Sequence, residues 1–95
     1  MKIYLIAVIK AKEEYREEVQ ETLQNMVRET VKEEANEQYT LHQGIEDRNQ
    51  FVFYEIWKSG DGLARHNEQP YIRAFGDLIS EKLQEPPQIY LTQII

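Results

Sequence analysis

Apolar residues along this chain follow two periods, and the switches between them mark its elements. Ile3–Ile9, IYLIAVI, is an unbroken apolar run of strand formers, without the alternation of a strand that has one wet face. From Glu13 to Glu34 the spacing changes to three and four. Tyr15, Val19, Leu23, Met26, Val27, Thr30 and Val31 form one stripe of a long helix. Glu13, Glu14, Glu17 and Glu18 crowd its first turns, where the helix dipole favours negative charge, and Glu29 with Glu33 reads as a solvated outer pair. Gln38–Ile45 then alternates, with Tyr39, Leu41, Gln43 and Ile45 on one side and Thr40, His42 and Gly44 on the other. Glu46–Gln50 reads as a hairpin turn, and Phe51–Lys58 returns antiparallel. Ser59–Gly60 breaks that strand. Asp61 stands where a helix N-cap would, opening a single turn that ends at His66. Pro70 begins a second main helix, whose stripe is Tyr71, Phe75, Leu78, Ile79 and Leu83. Pro86–Pro87 stops it, and Gln88–Ile95 is a last apolar strand.

The order β-α-β-β-α-β predicts an α+β, ferredoxin-like fold with one four-stranded antiparallel sheet, in a single domain over residues 1–95. Two amphipathic helices cover one face of such a sheet. Three strands, Ile3–Ile9, Phe51–Trp57 and Ile89–Ile95, are apolar on both faces. Monomers rarely leave a patch of that size open, so a sheet-to-sheet homodimer is expected.

Composition narrows the chemistry. Hydrophobic content of 41% with 29% charged residues argues for a folded protein rather than a disordered one. The chain has no cysteine, which excludes disulfides, thiolate nucleophiles and Cys-ligated metal clusters. A net charge of −6 opposes nucleic acid and anionic membranes as partners. There is no signal-peptide pattern and no apolar run near the ~20 residues that span a bilayer, so a cytoplasmic location is the expectation.

The chemistry concentrates in Phe51–His66, FVFYEIWKSGDGLARH. Glu55 is a carboxylate inside a run of β-branched and aromatic residues, where burial is costly unless the group is paired or protonated. Trp57 is the only tryptophan, and His66 is one of two histidines. The other, His42, falls beside Glu55 or opposite it according to the parity of the hairpin connection. No metal site is expected, because His42, His66 and Glu55 would all have to converge.

These residues carry a resemblance. The opening strand with Lys10–Glu14, YTLHQ at 39–43, FVFYEIW at 51–57, and H-x-x-x-P-Y at 66–71 followed by Phe75 resemble the antibiotic biosynthesis monooxygenase domains of the dimeric α+β barrel group. The resemblance implies a pocket between the sheet and its own helices, with dimerisation through the other sheet face. It also implies cofactor-independent oxidation of a small aromatic, quinol-type substrate by O2. On that reading His66 is the base, and Glu55 orients it or shares its proton. Trp57, Tyr71 and Phe75 form aromatic walls, and His42 is a secondary contact. Two other functions fit the same residues. One is isomerisation of a small hydroxy-carbonyl compound, with Arg65 and Arg73 available to a phosphate. The other is a dimer that binds a small ligand without turnover. The haem-degrading branch of the group carries a histidine where this chain has Gly76.

Overall fold

The computed structural model describes residues 1–95. Its strands are β1 (Ile3–Lys10), β2 (Asn36–Gln43), β3 (Gln50–Trp57) and β4 (Gln88–Thr92). Its helices are α1 (Arg16–Thr30), α2 (Gly60–Asn67) and α3 (Pro70–Lys82), and a 3-10 turn at Glu13–Tyr15 leads into α1. The sheet runs β2-β3-β1-β4 with every pairing antiparallel, which is the ferredoxin-like order.

Period-two alternation divides the sheet into two faces. Leu5, Ala7 and Ile9 of β1 and Phe51, Phe53, Glu55 and Trp57 of β3 point toward the helices and are buried. Val19, Leu23 and Met26 of α1 and Phe75 of α3 meet them. Tyr4, Ile6, Val8, Val52, Tyr54 and Ile56 occupy the other face and are half-buried, with no helix over them. One end of the core is closed where Ala11 bridges to Leu83. There Lys12 N–H donates to Lys82 O (2.9 Å) and Gln84 N–H to Lys10 O (2.8 Å).

Several boundaries differ from the periodicity reading. The first main helix ends at Thr30, not Glu34. The chain turns through 31–35, so Val31 leaves the apolar stripe and is 55% exposed. The cap of α2 is Ser59 rather than Asp61, because the Ser59 hydroxyl accepts the Gly62 N–H at 3.1 Å. With that cap, α2 is a full eight-residue helix. β4 stops at Thr92 rather than Ile95 and is exposed along its length.

Gly62 docks α2 onto the 31–35 turn. A Cβ placed on it would lie 2.3 Å from Ala35 Cβ, a contact that neither backbone segment can absorb without moving. The Lys58 N–H donates to Ala35 O (3.0 Å) and holds the same turn from the end of β3. Gly62→Ala is expected to destabilise the fold by about 1–3 kcal/mol through this overpacking. Urea denaturation measures it, and an unchanged midpoint would show that the turn and α2 are not in register-critical contact.

Candidate functional site

The site forms where β3 ends and α2 begins. Side chains two apart on a strand share a face, so Glu55 and Trp57 both point under the helices. There the indole Nε1–H donates to Glu55 Oε1 at 2.8 Å. Glu55 is 4% exposed. Burial is the main cause of a carboxyl pKa raised from 4.5 to about 7; the Trp57 hydrogen bond opposes the rise and the Glu33 charge adds to it. Glu55 therefore exchanges its proton near neutral pH.

α2 carries His66 back over the same sheet face. Its ring is 4% exposed and lies against Trp57 (centroids 4.4 Å), with Tyr39 at 5.5 Å and Tyr71 at 6.4 Å. His66 Nδ1 lies 2.8 Å from Glu33 Oε2, and the Tyr71 hydroxyl donates to the same oxygen. Nε2 makes no hydrogen bond within the protein. Burial lowers the His66 pKa, while the hydrogen bond and charge of Glu33 pull it back up. A neutral imidazole that donates Nδ1–H to Glu33 carries its lone pair on Nε2. Burial and a neighbouring carboxylate both raise the Tyr39 and Tyr71 phenols, so these remain protonated donors (Glu55 acts on Tyr39, Glu33 on Tyr71).

Glu55 and His66 open onto one cavity of about 100 Å3 between the sheet and the helices. Ten of its fourteen lining residues are hydrophobic, Leu5, Ala7, Tyr39, Phe53 and Phe75 among them, and the other four are Glu55, His66, Asn67 and Pro87. No lysine or arginine lines it. Its exposed lining residues are Asn67 of α2 and Ile89 of β4.

The structure thus brings Glu55, His66 and Phe75 together at the cavity. Trp57 and Tyr71 are placed differently from the reading as aromatic walls. Trp57 is fully buried behind Glu55 and His66, and its N–H is committed to Glu55. Tyr71 braces Glu33 on the far side of His66. Tyr39 and Phe53 (centroids 4.6 Å) are the aromatic surfaces that take the wall position with Phe75. The partner of His66 is Glu33, not Glu55. His42 lies on the opposite face of the sheet. The connection between β2 and β3 spans residues 44–49, and the register pairs Tyr39 with Glu55 and His42 with Val52. There His42 Nδ1 contacts the Val52 carbonyl at 3.2 Å. Arg65 and Arg73 are exposed and outside the cavity.

Comparison with known proteins agrees with this architecture. The family model for antibiotic biosynthesis monooxygenase matches residues 2–78. The chain is 35% identical over 92 residues to "Putative monooxygenase YcnE" of Bacillus subtilis, covering 97% of each. Among solved structures, PA3566 of Pseudomonas aeruginosa superposes with a TM-score of 0.93 at 26% identity, covering 99% of this chain and 94% of that one. Rv0793 of Mycobacterium tuberculosis gives 0.93 at 19% identity, covering 100% and 96%, a likeness of fold alone.

The raised Glu55 pKa ties stability to pH. The unfolded chain releases this proton near 4.5, and the folded chain holds it to about 7. Between those values the folded state binds more protons, so its stability falls as pH rises. Glu55→Gln is expected to flatten that fall and to gain stability over the parent at pH 8, by at most about 3 kcal/mol. Denaturation midpoints of both proteins at pH 5 and pH 8 measure it. An equal pH dependence in the two would show that Glu55 titrates normally.

Proposed function

Because the chain belongs to the antibiotic biosynthesis monooxygenase family, we propose that it oxygenates a small, uncharged aromatic alcohol of the phenol or quinol type, using O2 without a cofactor. One observation carries this reading. His66, held through Nδ1 and with Nε2 unpartnered, lines a cavity that is otherwise mainly apolar. An acceptor in apolar surroundings suits a substrate with an acidic hydroxyl on a flat hydrocarbon body. A lining without lysine or arginine disfavours carboxylated or phosphorylated substrates, since nothing there would balance their charge in apolar surroundings.

In this mechanism His66 Nε2 takes the phenolic proton. The resulting anion passes one electron to O2, giving an aryloxyl radical and superoxide. After spin inversion the pair combines at a ring carbon para or ortho to the oxygen, forming a C–O bond. Protonated Glu55 gives its proton to the peroxide. The Glu55 carboxylate then removes hydrogen from the same carbon as the O–O bond breaks. A carbonyl forms, hydroxide leaves, and His66 returns its proton to make water. One oxygen atom enters the product and the other leaves as water, so a phenol and O2 become a quinone and water. The apolar walls favour this sequence by excluding water from the radical pair.

We further propose that the helix-free face of the sheet joins two copies. Tyr4, Ile6, Val8, Val52, Tyr54 and Ile56 supply an apolar surface there, which supports that pairing.

Two experiments test these readings. With chelator-treated protein and a panel of hydroquinones and naphthols, oxygen uptake is expected, with one 18O atom from labelled O2 in the quinone product. His66→Ala should lower kcat about 10²–10⁴-fold while preserving the fold. Uptake no faster than the spontaneous reaction, or stoichiometric hydrogen peroxide, would rule the mechanism out. For the assembly, sedimentation is expected to give twice the 11.3 kDa chain mass, and Tyr54→Lys is expected to give single chains. A parent protein that sediments as one chain at micromolar concentration contradicts the pairing.

A further inference from the structure

We propose that Glu33 is a positioning residue of this site. Through its hydrogen bond to Nδ1 it sets the tautomer and ring plane of His66, so that Nε2 faces the cavity as the acceptor. The role rests on the reading of His66 as the base. Glu33 does not line the cavity and touches no substrate, so it acts only through the imidazole.

Three observations support the assignment. The other rings nearest the imidazole, Trp57 (tilted 45°) and Tyr39 (edge-on, 62°), pack against it and make no hydrogen bond to it. Such packing restrains the ring but does not distinguish one nitrogen from the other. Glu33 Oε2 is therefore the group that selects Nδ1 as the protonated nitrogen. Next, Glu33 is itself held. Its side chain is 15% exposed, and the Tyr71 hydroxyl donates to the same oxygen that His66 meets. Finally, its backbone is anchored on both sides of the turn. The Glu33 N–H donates to Thr30 O (2.9 Å), the Asn36 N–H donates to Glu33 O (3.1 Å), and Ala35 O accepts from Lys58 at the end of β3. A solvated glutamate on a helix surface needs none of these restraints. A carboxylate that must meet an imidazole 33 residues away needs them all.

The titratable groups around His66 are Glu33, Tyr39 and Tyr71, with Glu55 beyond Trp57. Of these, Glu33 raises the imidazole pKa. Its removal should therefore shift the acid limb of the kcat profile to lower pH, a readout that a purely structural role would leave in place.

Long-range 1H–15N spectra of the intact labelled protein read the tautomer without substrate, with His42→Gln assigning the two histidines. The parent is expected to show a pyrrole-type Nδ1 and a pyridine-type Nε2 on His66. Glu33→Ala should lose that pattern and lower kcat about 10–100-fold, with KM changed less than about twofold. Glu33→Gln keeps an oxygen that accepts Nδ1–H, so it should retain the tautomer while the acid limb moves. Tyr71→Phe should give a smaller loss in kcat than Glu33→Ala.

An Nε2-protonated His66 in the parent protein would overturn the proposal. So would a folded Glu33→Ala that keeps both the tautomer and kcat. If Glu33→Ala does not fold, Glu33→Gln decides: an unmoved acid limb overturns the proposal. A tautomer that follows Glu33 in a protein that never consumes oxygen upholds the positioning role and removes the oxygenase reading. Undiminished His66-dependent uptake in Glu33→Ala does the reverse.

Discussion

The hydrogen bond from the Trp57 indole to the Glu55 carboxyl is the interaction around which this molecule is built. A carboxyl in the middle of a hydrophobic strand would ordinarily favour the unfolded chain. Here it is tolerated because strand alternation places one N–H donor two residues away on the same face, and because the group keeps its proton to near neutrality. The indole that satisfies Glu55 also forms the surface on which His66 lies. One side chain thus serves a strand and a helix. The two proton-exchanging groups then line one cavity without hydrogen-bonding each other.

The fold was largely legible from the sequence, because its two periods are strong. The run IYLIAVI, the alternation from Gln38 to Gln43 and the Pro70 helix start each carry a physical signal that tertiary packing did not override, whereas Gly44 and Ile45 belong to the connection and not to β2. Boundaries were less legible. Thr30 and Val31 both fit the apolar stripe, and nothing local states that the helix stops between them. That small difference had the largest effect on the site. Glu33 lies four residues after Glu29 and reads as the outer face of a continuing helix. Once α1 ends at Thr30, the turn carries Glu33 inward to His66. The one available cue was Glu-Glu-Ala-Asn at 33–36, a cluster compatible with a turn, which helix propensity outweighed.

Hairpin parity was the other hidden quantity. Whether His42 joins Glu55 depends on a single-residue choice in the connection, and turn composition alone does not make that choice. The six residues 44–49, closed by Gly44 N–H to Gln50 O (2.8 Å), settle it by placing Tyr39 across from Glu55. The apolar letters of β4 are those of a core strand, and in a single chain they stay exposed. Of the aromatic residues read from the sequence as walls, only Phe75 lines the cavity. Trp57 and Tyr71 support the ionisable groups, and Tyr39 and Phe53 face the cavity with Phe75.

Trp57 is the only tryptophan of the chain, and it touches both ionisable residues of the cavity. Indole emission is quenched by an adjacent imidazolium and responds to the charge on a hydrogen-bonded carboxyl. All of the tryptophan emission of this protein therefore originates at the site, with no second indole to dilute it. The molecule carries a built-in optical gauge of its own protonation, readable in dilute solution and without a label.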